Sequence, residues 1–178
     1  MIITIDKFVQ TPLDKLDIPT PDFSRVGVTI NQTIRLSLED IYVNDSSGNT
    51  ARLHGTDPAA VELLGQSLSL GWDTTEYLPC VRKMPSGSEY KYELVYGFNR
   101  VEALENLDKT QFYFDVVDCD DSQIFDIRTI ENEGLPKALN KEADISHSIC
   151  QKIEKGFLSK DEDSVRDYVD NICLFRTK

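Results

Sequence analysis

The sequence is poor in the residues that build most metal and redox sites. Its 178 residues include two histidines, His54 and His147, and four cysteines, Cys80, Cys119, Cys150 and Cys173. The cysteines lie far apart, none in a Cys-x-x-Cys pair, so neighbouring thiolates cannot grip one zinc ion. No zinc is expected, and in a reducing compartment the thiols read as buried or half-buried packing groups. No apolar run approaches the roughly 20 residues that cross a bilayer. The opening Met1-Ile2-Ile3-Thr4-Ile5-Asp6 has neither the basic start nor the long apolar stretch of a signal peptide. A cytoplasmic location without a membrane partner is therefore expected. Also missing are a Gly-x-x-x-x-Gly-Lys-Ser/Thr loop and a Gly-x-Ser-x-Gly elbow.

Positive charge is scarce too. Residues 1–133 carry 11 Lys and Arg against 23 Asp and Glu, while residues 134–178 carry 8 of each, which together give the net charge of −12. Such a surface repels a polyanion over most of its extent, so DNA binding is expected to be weak or to need a module that is missing here. A protein partner with a basic surface fits better. The hydrophobic fraction of 40% and charged fraction of 28% are those of a chain that folds around a core.

The pattern along the chain predicts an α+β fold. Residues 1–24 begin with a β-like run, Ile2 to Ile5, and continue as a proline-bearing arm that lies on the domain or reaches to a partner. Val26 to Leu36 alternates as a strand does. Leu38 to Ile41 reads as a turn or single helical turn before a polar loop. Asp57 as N-cap, Pro58 at the first helical position and Gly71 as stop predict a helix over 58–70. Leu78 to Lys83 and Glu89 to Tyr96 read as strands, with Tyr92, Leu94 and Tyr96 on one face. A helix over 98–107, a strand through Phe112, Phe114 and Val116, and a helix carrying Ile124, Ile127 and Ile130 follow. Helices at about 142–155 and 161–173 end the chain. Strands and helices without regular alternation indicate a small mixed sheet with flanking helices rather than a doubly wound sheet.

The stretch from Tyr92 to Leu104 points to chemistry. A strand runs into Gly97 and straight into a helix with Arg100 in its first turn. The first N–H groups of a helix lack internal partners and sit at the positive end of its dipole. Glycine allows close approach of a ligand, and a guanidinium can grip a phosphate with two hydrogen bonds. The same residues also fit a plain turn with Arg100 paired to a nearby carboxylate. The acidic run Asp115, Asp118, Asp120, Asp121 and Asp126 lacks the glycine and terminal glutamate of a calcium loop and reads as capping and solvation. Trp72 reads as a hydrophobic anchor rather than a platform for a base, and His54 as a loop histidine.

The order of elements resembles the N-terminal domain of ParB proteins and, more distantly, sulfiredoxin. The resembling pieces are Asn44 and Arg52, the stretch Val61 to Leu68 with Gly71, Leu78-Pro79-Cys80-Val81, Gly97 to Arg100 with Val101 to Leu104, and Glu131-Asn132. Leu158-Ser159-Lys160-Asp161-Glu162 looks like the family's entry to a helix-turn-helix. The resemblance covers about residues 33–165. It implies an arm over 1–24, a ParB/sulfiredoxin-like domain over 25–134 and a helical extension over 135–178. It further implies a nucleoside triphosphate bound with Mg²⁺, with Gly97, Asn99, Arg100, Lys83 and Asn132 at the phosphates. Glu131 would serve as metal ligand and candidate catalytic residue. Phosphoryl transfer or triphosphate hydrolysis, a non-catalytic protein- or DNA-interaction module, and a metal-dependent nuclease all remain open, and a homodimer is a family expectation. Phe98 stands where sulfiredoxin has its nucleophile, which excludes sulfinate reduction. Phe98 and Asn99 replace the usual Glu and Arg, and Leu135 replaces a further arginine. The sequence ends one helix into the would-be helix-turn-helix.

Overall fold

The computed structural model describes residues 1–43, 56–131 and 142–173. Asn44, Arg52, His54, Asn132 and Leu135 lie outside them. The chain is α+β. Its main sheet has the order β2-β7-β5-β6-β3, with β2 at Ile30–Ser37, β3 at Ile41–Tyr42, β5 at Cys80–Lys83, β6 at Tyr92–Tyr96 and β7 at Gln111–Val117. β2 runs antiparallel to β7 and β5 antiparallel to β6, whereas β5/β7 and β3/β6 are parallel. Among the described residues no helix is long and apolar enough to cross a membrane.

Alternation along β7 divides the core. Phe112, Phe114 and Val116 enter one apolar cluster, which also holds Val61, Leu68, Trp72, Val101 and Leu104. Val117 enters a second cluster with Phe23, Cys80, Tyr96, Ile124, Ile127 and Ile130. The first is covered by α2 (Pro58–Leu70) and α3 (Phe98–Asn106), the second by α4 (Asp121–Glu131). Asp57 caps α2 by accepting from the N–H groups of Ala59 and Ala60, as its position before proline dictates. At the start of α4, Asp120 accepts from the Gln123 N–H at 2.9 Å and donates its own N–H to Gln123 Oε1 at 3.0 Å, a reciprocal cap.

Three expectations are corrected. The β-like run of the arm shrinks to β1 (Ile2–Ile3), which pairs with β4 (Trp72–Asp73) and is followed by a short helix, α1 (Ile5–Gln10). Ile5, Phe8 and Val9 share a helical face, and Phe8 is completely buried against Trp72, Phe112 and Tyr113. Of the two readings of the arm, lying on the domain is the one observed. Secondly, Ser24–Val26 forms a 3₁₀ turn closed by Gly27, and β2 starts only at Ile30. Thirdly, Tyr96 leaves the face shared by Tyr92 and Leu94. Cys80 pairs with Tyr96 but Val81 with Leu94, so Val95 is an extra residue on β6. That bulge turns both Val95 and Tyr96 toward the second cluster.

The C-terminal helices α5 (Glu142–Glu154) and α6 (Glu162–Tyr168) dock on α4, and the chain continues past Tyr168 as a π-helical stretch, Val169–Cys173. The docking is keyed by charge. Lys152 donates to Asp126 Oδ1 at 2.6 Å, and the Tyr168 hydroxyl donates to the same oxygen at 2.9 Å. The Lys152 ammonium lies 4.6 Å from the centre of the Tyr168 ring.

Phe8→Ala tests whether the first ten residues belong to the core. Emptying a site bounded by three aromatic rings should cost about 3–5 kcal/mol in urea unfolding; a loss under about 1 kcal/mol would mean that α1 is a loosely attached arm.

Candidate functional site

β6 ends where α3 begins, and Gly97 makes the junction for two reasons. Its φ of 96° and ψ of 22° lie in the left-handed region. A Cβ there would also stand 2.6 Å from Pro79 Cβ and 2.9 Å from Pro79 Cα. The residue before β5 and the residue after β6 are thereby pressed together. Having no side chain, Gly97 supplies no cap to α3, in contrast to Asp57 at α2 and Asp161 at α6.

Arg100 lies in the first turn of α3 and is only 8% exposed. Helical side chains slant back toward the N-terminus, and this one meets two carboxylates. Its Nη2 is 3.3 Å from Glu76 Oε2, and its Nη1 is 3.5 Å from Glu131 Oε1. Glu131 is the last residue of α4 and 7% exposed; Glu76 comes from the turn between β4 and β5. Both pairings are longer than the 2.7–2.9 Å of a tight charged hydrogen bond. Arg82 provides the internal contrast, with Nη2 at 2.6 Å from both Glu93 Oε2 and Asp121 Oδ1. Next to Arg100, the Asn99 Oδ1 is buried without a hydrogen-bond partner among the described residues.

Beneath this turn lies a second buried arginine. Arg128 of α4 donates from Nε to the Val95 carbonyl at 2.6 Å, and its guanidinium carbon sits 5.1 Å from the centre of the Phe98 ring. Burial draws its pKa down to about 10, still well above neutral. Arg128 thus anchors the bulged end of β6 from below.

A polar row crosses the sheet on the α4 side. Thr33, Asp115, Cys80 and Tyr96 are successive cross-strand neighbours on β2, β7, β5 and β6. Thr33 Oγ1 donates to Asp115 Oδ1 at 2.6 Å, while Asp115 Oδ2 and the Tyr96 hydroxyl have no hydrogen-bond partner among the described residues. Burial first, then the Asp115 charge, push the Cys80 thiol well above its usual range, so it is no nucleophile at neutral pH. Burial raises Asp115 to about 6, opposed by the Thr33 hydrogen bond.

Of the residues singled out in the sequence, the structure brings together Gly97, Asn99, Arg100 and Glu131. Lys83 does not join them. It pairs with Tyr92, whereas Cys80 pairs with Tyr96, so antiparallel pairing puts Lys83 at the opposite end of β6, roughly 13 Å along the strand from Tyr96. The acidic run is dispersed into local roles: Asp115 under Thr33, Asp120 as a cap, Asp121 on Arg82 and Asp126 on Lys152. Among the described residues no three His, Cys, Asp or Glu side chains are placed to hold a metal ion. Trp72 is 2% exposed and packs edge-on against Phe112, a core residue. Glu76 and Arg128 were missed. Nothing local marks Glu76, whereas Arg128 could have been noticed as a charge inside the stripe Ile124, Ile127, Ile130.

The ionisation of Asp115 should be visible in stability. Its folded value of about 6 exceeds the ordinary 3.8, so the folded state binds the proton more tightly than the unfolded one. This contribution is fully present below about pH 3.8 and is lost as pH rises through about 6, with a total of about 3 kcal/mol. Asp115→Asn, which keeps an acceptor for Thr33, should remove that decline between pH 4 and 7 in urea titrations. Parallel pH profiles for the two proteins would contradict the assignment.

No protein-family model and no curated protein matches the sequence. Among solved structures, the chain is similar to the C-terminally truncated chromosome-partitioning protein ParB from Caulobacter crescentus, complexed with CTP-gamma-S. The TM-score is 0.47 at 17% identity, over 80% of this chain and 72% of that one.

Proposed function

We propose that the chain is a nucleotide-binding domain whose phosphates rest on the N-terminus of α3. The observation that carries this reading is the state of Arg100: buried beside an uncapped helix start and held by carboxylates only at 3.3 and 3.5 Å. A guanidinium with five donors and two long contacts retains hydrogen-bonding capacity for a phosphate. The resemblance of Gly97 to Arg100 to the ParB phosphate box supports the same site. Gly97, Asn99 and Arg100 take the phosphate role here. Lys83, which the resemblance would add, stands too far along the sheet.

Among the described residues two carboxylates, Glu76 and Glu131, face the Arg100 guanidinium. Mg²⁺ is commonly held by one or two carboxylates together with substrate phosphates, and Glu131 and Glu76 fit that donor set. Glu131 is the residue we assign to it; the ion would supply charge neutralisation to the phosphates. Arg100 orients the phosphate chain, Asn99 donates to it from its side-chain NH₂, and the α3 N–H groups complete the cradle. If the domain turns over its ligand, phosphoryl transfer or hydrolysis is the matching class.

A second reading has one observation in its favour. Arg100 already has carboxylate neighbours, as a purely structural arginine would, and the acidic surface then serves a basic protein partner.

Thermal unfolding with each nucleoside triphosphate and Mg²⁺ separates the two. A ligand at about 100 times its dissociation constant adds about 2.7 kcal/mol, raising the melting temperature by about 5–11 °C at about 2–4 °C per kcal/mol. The expected result is a shift with one nucleotide, reduced in Asn99→Ala. Arg100→Ala is the poorer control, because removing a buried guanidinium from beside two carboxylates lowers stability by itself. No shift with any nucleotide would leave the partner-binding reading.

A further inference from the structure

α2 is apolar on two opposite sides. Its inner stripe, Val61, Leu64 and Leu68, packs into the first cluster. On the far side Ala59, Leu63, Gln66 and Leu70 recur at spacings of four, three and four, the rhythm of a coiled-coil seam. All four are exposed, Leu63 at 66% and Leu70 at 71%. Glu62 is the single charged residue of α2, in a chain of which 28% is charged. The apolar surface continues past the helix end. Ile2 Cγ2 lies 2.9 Å from the position a Cβ on Gly71 would take, and Ile2 is itself 62% exposed. The four most exposed large apolar side chains among the described residues, Met1, Leu70, Leu63 and Ile2, are thus on α2 or in the two residues beside its end. A lone leucine on a surface is ordinary, whereas an uncharged row of this kind marks a contact. A helix that is apolar on both faces is a helix covered on both.

We infer that this outer face of α2 pairs with the same face of a second copy of the chain, antiparallel about a two-fold axis. Charge selects the second copy. Each copy carries −12, so two copies repel wherever their acidic surfaces meet, and the seam on α2 lets them touch without bringing like charges together. A partner with a basic surface would find no carboxylate in this seam to pair with. The side chains are also self-complementary. With the axis at the middle of the seam, Leu70 faces the partner's Ala59, large against small, and Leu63 lies along the methylenes of the partner's Gln66. Each contact occurs twice, as an isologous interface requires. Ile2 extends the contact toward the start of the partner's helix. The pairing makes no use of Arg100 and is independent of the nucleotide reading.

Sedimentation equilibrium of the full chain without nucleotide, from about 1 to about 200 µM, tests the pairing, since self-association follows mass action. The comparison protein carries Leu63→Lys together with Leu70→Lys, because lysines lower the net negative charge instead of adding to the repulsion. Both sites are exposed, and melting curves at the lowest concentration check that the variant is folded. The expected result is a monomer–dimer equilibrium in the unaltered chain that the two lysines abolish. Leu63→Ala alone should weaken the dimer at least about tenfold, as its loss is felt twice in a symmetric pair. Raising NaCl from about 50 to about 500 mM should tighten the dimer, because salt screens the repulsion between two acidic bodies and leaves apolar contact in place. A chain that stays monomeric over the whole range would overturn the inference. So would a dimer untouched by the lysines or loosened by salt, which would put the interface on a charged surface elsewhere. None of these outcomes touches the nucleotide site, which the melting shifts test separately.

Discussion

The contact between Gly97 and Pro79 governs how the rest of the molecule is arranged. A 2.6 Å approach to the place of a missing Cβ leaves no choice of residue and no room to slide. It sets where β6 stops, where α3 starts and how closely the turn carrying Glu76 passes α3. From there the chain of consequence is short. α3 places Arg100, α4 brings Glu131 up from the other face, and the bulge at Val95 turns Tyr96 into the second cluster. Arg128, donating to the Val95 carbonyl, holds the bulged strand from below. The site is thus assembled from four separate pieces of chain whose common reference is one backbone junction.

How much of this was legible depends on how local the signal is. The bounds of α2 could be read because cap, proline and glycine stop are adjacent in sequence. α3 and β7 were legible for the same reason, from the glycine break and the alternation of Phe112, Phe114 and Val116. α1 carries Ile5, Phe8 and Val9 at helical spacing, but six residues are too few to stand out beside the prolines that follow. Gly97, Asn99, Arg100 and Glu131 were legible as a group only through resemblance, since Glu131 reaches Arg100 across the packing of α4 on the sheet. Lys83 was misplaced because its distance from α3 depends on strand direction, which the residues themselves do not encode. The bulge escaped because Val95 suits a strand whichever face it takes.

The buried polar groups are distributed unevenly. Arg82 is matched to Glu93 and Asp121 at short range and serves the sheet edge. Among the described residues Asp115 and Tyr96 sit in the core with one hydrogen-bonding site each unmet, and Arg100 is held by long contacts. Unmet atoms of this kind also occur away from α3, on Trp72, Ser148 and Gln151. Buried polar groups left short of partners are costly to stability, so the core tolerates such costs in more than one place.

The Asp126 clasp on Lys152 and Tyr168 bears on how the C-terminal helices sit. Apolar faces attract without regard to angle, and the extension brings that kind of contact too, with Phe157 against Phe125 of α4 and a cluster of Ile145, Tyr168, Ile149, Leu158 and Ile172. One carboxylate oxygen receiving two donors is a different sort of joint: it closes only when ammonium and hydroxyl arrive together. The attachment therefore works as a key as well as an adhesive. Sequence drift over the outer surfaces of α5 and α6 would leave their angle to the sheet unchanged, whereas loss of this single oxygen would remove the directional part of the joint and leave the less exacting contacts of Phe157 and Lys155 with the Phe125 ring.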